Sequence, residues 1–374
     1  MRILFPDHTA TIEGVTDMIS AFADINQLKP TVYQLADLKQ NSSNFQSFLK
    51  EDQNTIVFVP TTVRIDEQLH KVCEAKLYAT ASTGTDHVDF SFLLNNQIPF
   101  VSAPGENSIS VVEYVLSSLP YLFDVDQLLQ EQLSIGIIGY GRIGSQLGQV
   151  CQQLGFQVST FDPLKYVSTP NDQLATVLKS DAISFHVPLT KNSQFATFEM
   201  IDDRFLDVAL PNSVWINSAR GQIIDSAVFE RLIKEHKTAI DVFPIEPANT
   251  SWLEHIKLAS PHVAGYSWRG RAGGVFRVLS EVSSLFGFSF PFTLEEFLPA
   301  KYEISALNFI DAESNLLKEN PSSFNKRRNH YPSRSSFRDE IEFDPQIEML
   351  TDISQSHKEY LQRIFEIWNR LHLY

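Results

Sequence analysis

The chain has 374 residues, of which 43% are hydrophobic and 20% are charged, and its formal net charge is −15. This length predicts two or three globular domains with sizeable cores. The negative charge disfavours nucleic acid and anionic membranes as partners, and an acidic substrate then needs a locally basic pocket. Cys73 and Cys151 are too few for a disulfide framework, and no apolar run reaches the roughly 18 residues of a membrane span. We therefore expect a soluble, cytoplasmic protein.

Short apolar runs alternate with amphipathic stretches over the first 290 residues. The alternation predicts an α/β fold with two Rossmann-like, doubly wound parallel sheets that carry helices on both faces. In the N-terminal part, strands are predicted at 1–5, 55–60, 76–79 and 99–102, and helices at 65–76 and 90–95.

A second α/β unit is predicted to begin near residue 105 and to end near 285. It opens with a long helix at 108–123. The pattern then predicts a strand at 134–138, a helix at 142–154, and strands at 157–161, 182–186, 213–217, 238–242 and 257–260.

The character of the chain changes after about residue 288. A basic run between 326 and 338 contains Lys326, Arg327, Arg328, Arg334 and Arg338. The end, 354–373, has the pattern of an amphipathic helix with Tyr360, Ile364, Trp368 and Leu371 on one side. Two hypotheses stay open for this tail: a small α/β appendage whose basic run is a solvated face, or an oligomerisation module.

A glycine-rich motif lies between the predicted strand 134–138 and the predicted helix 142–154. Its residues are Gly139-Tyr140-Gly141-Arg142-Ile143-Gly144. In such a motif the glycines permit a tight turn, a close approach to a pyrophosphate and close helix–strand packing, and the positive helix end faces the phosphates. Asp162 follows at the end of the next strand, where a carboxylate accepts the ribose hydroxyls of NAD and repels the extra phosphate of NADP. The sequence therefore predicts NAD as the cofactor.

Three further polar residues follow predicted strands of the same unit, at the edge where open α/β sheets bind ligands. His262 suits a general base because histidine titrates near neutral pH. Glu246 is the carboxylate that orients the imidazole and stabilises its charged form. Arg220 offers a planar fork of donors for a substrate carboxylate. Each residue alone has an ordinary structural explanation, but their occurrence after a dinucleotide motif predicts a dehydrogenase of 2-hydroxy acids.

These motifs resemble the D-isomer-specific 2-hydroxyacid dehydrogenases, in which an arginine, a glutamate and a histidine occur in this order. Further segments resemble more closely the erythronate-4-phosphate dehydrogenase family within that group. They are ASTGTDHVD at 81–89, SAPGEN at 102–107, VEYV at 112–115, PHVAGYS at 261–267, LPA at 298–300 and FNKRRNHY at 324–331 with Arg334.

The resemblance implies the oxidation of 4-phospho-D-erythronate to 2-oxo-3-hydroxy-4-phosphobutanoate, on the route to pyridoxal 5′-phosphate, by a homodimer that uses NAD. It implies a substrate-binding domain at 1–104 with a return segment near 268–290, an NAD-binding domain at 105–267, and an α+β dimerisation segment with a helical tail at 291–374. It also implies cofactor contacts at Ser218, Ala219, Asp241 and Gly265, in addition to the glycine motif. Implied substrate contacts are Thr61, Ser82 and Tyr266.

The chain departs from the family pattern near the substrate. Pro60 stands where the family has an arginine, Glu106 adds a carboxylate, and Arg269 replaces an acid. A doubly charged phosphate needs several donors and local positive charge, and the nearby cations are Arg64, Arg269 and Arg271. Our hypothesis is that Arg269 or Arg271 binds the acidic end of the substrate; a solvated helix start is the alternative.

Two other functions stay open. One is a D-2-hydroxyacid dehydrogenase for a different acid, and the other is an NAD-binding sensor without turnover. A metal enzyme is not expected, because the ten histidines lack the HxxH and HExxH spacings of metal sites.

Overall fold

A computed structural model describes residues 1–34, 37, 54–130, 132–165, 170–300, 302–307, 309–342, 354–371 and 373. The chain divides into two compact units. Unit 1 comprises Met1–Asn107 and Tyr266–Glu303, and unit 2 comprises Ser108–Gly265 and Ile304–Tyr374. The division differs from the predicted one in the tail, because the chain from 291 to 303 belongs to unit 1 and the chain from 304 onward belongs to unit 2.

Unit 1 contains a five-stranded parallel sheet with the order β2-β1-β3-β4-β5. The strands are β1 (Arg2–Pro6), β2 (Lys29–Tyr33), β3 (Thr55–Phe58), β4 (Leu77–Ala79) and β5 (Phe100–Val101). The described helices are Asp7–Ala10, Val15–Ile25, Glu67–Val72, Phe90–Asn95 and Trp268–Phe286, with a 3-10 turn at Leu294–Phe297. This strand order is a doubly wound arrangement with a switch point between β1 and β3.

Alternate residues of the unit 1 strands enter two separate cores. Ile3 and Phe5 pack with the helices Val15–Ile25 and Trp268–Phe286, whereas Leu4 packs in a second cluster with Leu69 of the helix Glu67–Val72. Both faces of the sheet are therefore covered by helices, as the continuous apolar runs predict.

Unit 2 contains a six-stranded parallel sheet with the order β11-β10-β9-β8-β6-β7. The strands are β6 (Ser134–Ile138), β7 (Gln157–Phe161), β8 (Ala182–Phe185), β9 (Val214–Asn217), β10 (Lys237–Ile240) and β11 (Leu258–Ala259). The helices before residue 300 are Ser108–Leu122, Val125–Gln130, Arg142–Leu154, Pro170–Leu178, Asp203–Val208, Ser226–Glu235 and Thr250–Leu253, with a 3-10 turn at Gly221–Ile223. From β6 the chain turns to β7 on one side and later to β8 on the other, so the ligand-binding switch point lies at the carboxyl end of β6.

The tail of unit 2 is helical in its described residues, with one isolated parallel bridge between Ile304 and Arg334. Its helices are Phe309–Glu319, Phe324–Asn329, Phe337–Glu342 and Gln355–Leu371, with a 3-10 turn at Pro321–Ser323. The predicted amphipathic terminal helix is confirmed. Tyr360, Ile364 and Trp368 are at most 1% exposed, and the Tyr360 hydroxyl donates to the Leu116 carbonyl, 3.2 Å away.

The structure confirms the predicted α/β class with two doubly wound parallel sheets. A search of the described residues for a helix long and apolar enough to cross a membrane finds none.

Candidate active site

Glu246 and His262 form a hydrogen-bonded pair in unit 2. Glu246 follows β10 and His262 follows β11, two neighbouring parallel strands whose carboxyl ends meet at one edge. His262 Nδ1 lies 3.1 Å from Glu246 Oε1 and 3.0 Å from Oε2, and both side chains are less than a third exposed. Since the ionised carboxylate only accepts, Nδ1 carries the proton of this contact, and Nε2 is the nitrogen that can exchange a proton with a substrate.

The backbone of His262 is held in an unusual conformation. Its φ is +63°, in the left-handed region that side-chain-bearing residues seldom adopt and that costs on the order of 1–3 kcal/mol. Asp241 holds the turn: its carboxylate accepts from Val263 N at 2.7 Å, Ala264 N at 2.9 Å and Ser260 Oγ at 2.7 Å. The His262 amide also donates to the Asp241 carbonyl at 2.9 Å. A buried acid at the end of β10 therefore fixes the direction of the imidazole.

Asp241 is also a predicted cofactor contact, and that contact stays a prediction. The structure adds a role that the sequence did not reveal, because Asp241 is 1% exposed and its carboxylate faces the His262 turn. Burial raises the pKa of Asp241, and the His262 ring, Ser260 and the two backbone amides counteract part of that rise.

The pKa of Glu246 is shifted in the opposite direction. Burial alone would raise it, but the hydrogen bond and the charge of His262, the charge of Arg328 and the Phe243 amide together bring the pKa of Glu246 below its ordinary value. Glu246 is therefore a carboxylate at neutral pH, which is the form that can orient and balance an imidazolium.

Arg220 lies in a tight turn after β9. Asn217 closes that turn, because its side-chain oxygen accepts from Ala219 N at 3.1 Å and its amide nitrogen donates to the Arg220 carbonyl at 3.1 Å. The Arg220 guanidinium donates through Nη1 to the Ala219 carbonyl at 2.7 Å. Gly221 permits this turn to lie against the next one, since a Cβ at Gly221 would be 1.8 Å from the Phe243 carbonyl oxygen. The Arg220 turn thus touches the turn that carries Glu246.

The predicted glycine motif forms the turn between β6 and the helix Arg142–Leu154. Gly139 has φ +91°, and a Cβ there would be 2.4 Å from the His186 carbonyl oxygen. A Cβ at Gly144 would be 2.1 Å from the Gly139 carbonyl, so this glycine permits close helix–strand packing. Gly141, by contrast, has no described atom within 4 Å of an added Cβ apart from its chain neighbours, and as the N-cap residue it offers the helix no capping side chain. The open space and the uncapped helix end fit a bound pyrophosphate. Arg142 and Ile143, also predicted contacts, are the first residues of that helix.

Asp162 lies beside this turn at the end of β7. Its two carboxylate oxygens accept from Tyr140 N and Leu164 N, each at 3.0 Å. Lys165 donates to the Tyr140 carbonyl at 2.6 Å, so a cation lies near the same turn. The backbone bonds fix Asp162 next to the glycine turn, where its remaining lone pairs suit ribose hydroxyls.

Two buried polar atoms near these turns have no hydrogen-bond partner within the described part of the chain. They are Ser218 Oγ and His186 Nδ1. Burial lowers the pKa of His186 to about 3, so its ring is neutral. Unpaired buried polar atoms are costly, and a bound ligand is one way to satisfy them. Together with the cradle at Gly141, they fit the predicted NAD. Ala219 is buried in the Arg220 turn, and Gly265 follows the His262 turn.

The predicted substrate residues Thr61, Ser82 and Tyr266 belong to unit 1. Thr61 is exposed, in a turn after β3. Ser82 Oγ contacts Thr80 Oγ1 and the Gly84 carbonyl, each at 3.0 Å. The guanidinium of Arg271 lies 5.3 Å from the centre of the Tyr266 ring, at cation–π distance.

The other two arginines near the predicted substrate residues, Arg269 and Arg64, have acidic neighbours. Arg269 Nη1 contacts Glu295 Oε1 at 3.1 Å, and Arg64 Nε lies 3.4 Å from Asp66 Oδ2. The structure therefore separates the two arginines of our substrate hypothesis: Arg271 is next to a predicted substrate residue, and Arg269 is paired with an acid.

Three of the five cations in the basic run of the tail pair with acids, whereas Lys326 is exposed. Arg334 and Glu113 are both 0% exposed, with Nη1 3.4 Å from Oε2. Arg327 donates twice to Glu313, at 3.0 and 2.6 Å, and Arg328 Nη1 contacts Glu246 Oε2 at 2.9 Å. The hypothesis of an exposed basic run is therefore wrong for these three arginines, each of which pairs with an acid of unit 2. Charge and spacing in the sequence give no sign of a partner 82 residues away, as for Arg328 and Glu246.

Known proteins share parts of the sequence and the fold of this chain. Residues 125–264 match the family described as D-isomer specific 2-hydroxyacid dehydrogenase, NAD binding domain. Erythronate-4-phosphate dehydrogenase from Acinetobacter baumannii is 35% identical over 250 residues, which cover 65% of this chain and 70% of that protein. The enzyme of that name from Bacteroides fragilis is 29% identical over 329 residues, covering 83% and 94%.

A solved structure, the NAD⁺-bound 3-phosphoglycerate dehydrogenase of Entamoeba histolytica, shares the fold. The TM-score is 0.60 at 18% identity, and the match covers 80% of this chain and 99% of that one. Fold, glycine motif and sequence match together define an NAD-dependent oxidoreductase of the D-2-hydroxyacid dehydrogenase class. Within that class, the chain belongs to the erythronate-4-phosphate dehydrogenase family.

Proposed function

We propose that the protein oxidises 4-phospho-D-erythronate to 2-oxo-3-hydroxy-4-phosphobutanoate, a step toward pyridoxal 5′-phosphate. The observation that carries the proposal is the Glu246–His262 pair, which lies at the same sheet edge as the glycine turn for the dinucleotide. The relatives that share the sequence bear the name of this activity.

In the proposed reaction His262 is the base. Its Nε2 accepts the proton of the C2 hydroxyl, while Nδ1 stays bonded to Glu246. The ring becomes positively charged, and the carboxylate of Glu246 stabilises that charge at 3.0 Å. The glycine motif and Asp162 would hold NAD, which would supply the acceptor for the hydride of C2. In the reverse direction the same imidazolium returns the proton to the carbonyl oxygen.

In the proposal, arginine and hydroxyl side chains position the substrate. Arg220, fixed by Ala219 and Asn217, offers its planar fork to the C1 carboxylate. Thr61, Ser82 and Tyr266 are proposed substrate contacts in unit 1. We assign the phosphate end to Arg271, because its guanidinium lies against the ring of Tyr266, a proposed substrate contact. For the cofactor, the proposed contacts are the glycine motif, Asp162, Asp241, Gly265 and the turn 218–219.

A different D-2-hydroxy acid is the second candidate. The substitutions at Pro60 and Glu106 favour it, since they remove one positive charge and add one negative charge where a phosphate dianion would need donors.

A substrate panel tests the proposal. NAD reduction is followed with 4-phospho-D-erythronate, 3-phosphoglycerate, D-glycerate and D-lactate, with His262→Asn as the control that lacks the proposed base. We expect the highest kcat/KM for 4-phospho-D-erythronate, and no turnover of any acid by His262→Asn. A clear preference for another acid would show that 4-phospho-D-erythronate is not the substrate and would favour the second candidate. Tight NAD binding without turnover on any acid would favour a sensor.

We also propose a cytoplasmic homodimer. The two cysteines, both buried and free, suit a reducing compartment. The dimer is proposed because the tail resembles the family's dimerisation segment. Light scattering on the purified protein measures its molar mass in solution and so tests the dimer directly.

A further inference from the structure

A residue of the tail contacts the acid–base pair. Arg328 Nη1 lies 2.9 Å from Glu246 Oε2, the oxygen that also contacts His262 Nδ1 at 3.0 Å. Arg328 is 16% exposed and Glu246 is 19% exposed, so the contact is shielded from most of the solvent. Within the described residues, the Glu246 carboxylate has three donors: the imidazole, the guanidinium and the Phe243 amide at 3.3 Å.

The short helix Phe324–Asn329 brings Arg328 to this position. Phe324 and Arg328 are four residues apart and therefore lie on one face of the helix. Phe324 is 1% exposed and packs edge-to-face on Phe243, with ring centroids 6.0 Å apart. The same helix face therefore contacts the Glu246 turn twice, once through an aromatic ring and once through a charge.

The helix is also anchored on its other side. Arg327 donates from Nε and Nη2 to the carboxylate of Glu313, which is 1% exposed and belongs to the helix Phe309–Glu319. The Arg327–Glu313 pair attaches the helix to Phe309–Glu319 and involves neither Glu246 nor His262.

The Arg328–Glu246 contact changes the balance of charge around the His262 ring. Asp241 and Glu246 are both acids close to His262, and the charge of the His262 ring acts to lower the pKa of each of them. A base must be neutral before it can accept the substrate proton. Arg328 places one positive charge on one of the two acids, which offsets part of their combined effect on the ring.

We propose that Arg328 is a positioning residue for the acid–base pair: it fixes the Glu246 carboxylate against His262 Nδ1 and offsets its negative charge. The assignment rests on the proposed function, in which His262 is the base. It makes the tail part of the catalytic machinery through one side chain, in addition to any role in assembly.

The test compares Arg328→Gln, Arg328→Lys and the matched control Arg327→Gln in the full-length protein. The control removes a tail arginine whose partner is Glu313 rather than Glu246. Two quantities are measured: the pH dependence of kcat/KM for oxidation of the best acid of the panel, and the titration midpoint of the His262 ring by NMR. The NMR midpoint requires no turnover, so it tests Arg328 even if the proposed reaction is wrong.

The expected result follows from the sign of the charge. Without Arg328 the two acids hold the ring proton more strongly, so activity appears at higher pH. We expect Arg328→Gln to move both the acid limb and the NMR midpoint upward by roughly 0.5 to 1 pH unit, which is about a three- to tenfold loss on that limb. Arg328→Lys keeps the charge and should restore the wild-type midpoint, and Arg327→Gln should leave it unchanged.

Three outcomes would overturn the proposal. They are a wild-type midpoint in Arg328→Gln, an equal shift in Arg328→Lys, and an equal shift in Arg327→Gln. The second would exclude charge as the cause, and the third would attribute the effect to loosening of the tail.

Discussion

Replacing Gly221 by alanine tests whether the close approach of two turns is needed for activity. An added Cβ would lie 1.8 Å from the carbonyl oxygen and 2.0 Å from the carbonyl carbon of Phe243, and 2.7 Å from Pro244 N. All three are backbone atoms, so no side chain can rotate away. To restore an ordinary contact of 3.4 Å, the Arg220 turn and the Glu246 turn must separate by more than about 1 Å.

The size of the effect follows from that displacement. Forced overpacking of this kind costs about 1–3 kcal/mol, which lowers the melting temperature of a unit of this size by roughly 2–12 °C. A misplacement of about 1 Å in a catalytic constellation costs on the order of a hundredfold in rate. We therefore expect Gly221→Ala to fold with reduced stability and to lose about two orders of magnitude in kcat/KM.

Gly141→Ala is the matched control, because its added Cβ meets no described atom within 4 Å beyond its chain neighbours and its φ of −76° suits any residue. It should keep the wild-type melting temperature and weaken NAD binding, since its methyl group enters the proposed cradle. The assays are calorimetry, NAD titration and steady-state kinetics. A Gly221→Ala protein with wild-type melting temperature and wild-type kcat/KM would refute the argument.

Three other variants probe the cofactor and the His262 turn. Asp162→Ser should raise the ratio of NADP to NAD efficiency by at least about tenfold, because the acid that repels the extra phosphate is gone; an unchanged ratio in steady-state kinetics would contradict its role. Ser218→Ala should leave the melting temperature of the cofactor-free protein unchanged, since the hydroxyl has no partner among the described residues, while NAD titration shows a severalfold weaker affinity. Asp241→Asn can place a side-chain NH2 group opposite the Ala264 N–H, where the hydrogen bond to the carboxylate is lost. The His262 turn then loses one of its supports, and kcat should fall by about 10- to 100-fold. A wild-type kcat in this variant would contradict the role of Asp241.

Elements with an unbroken apolar run and a clear end could be predicted from the sequence. The bounds of β6, β7 and the helix Arg142–Leu154 agree with the prediction because glycines and apolar periodicity delimit them. The edge strand β2 was missed. Most of its residues are not buried, and Pro30 interrupts it, so it has neither an apolar run nor an alternation.

The residues of the candidate site could be predicted in part, because their types and order are local features of the sequence. The residue types and their order indicated a base, its acid and a carboxylate-binding arginine, and the structure joins His262 to Glu246. The inward orientation of Asp241 and the left-handed φ of His262 depend on how two parallel strands end together. Arg328 depends on long-range packing of the tail, which residue spacing does not encode.

The most direct test of the central claim uses 4-phospho-D-erythronate deuterated at C2. If the protein transfers hydride from that carbon with His262 as the base, the wild type forms deuterated NADH with a slowed transfer step, and His262→Asn forms none while still binding NAD. Oxidation without transfer of the label to the nicotinamide, or undiminished transfer in His262→Asn, would contradict the account.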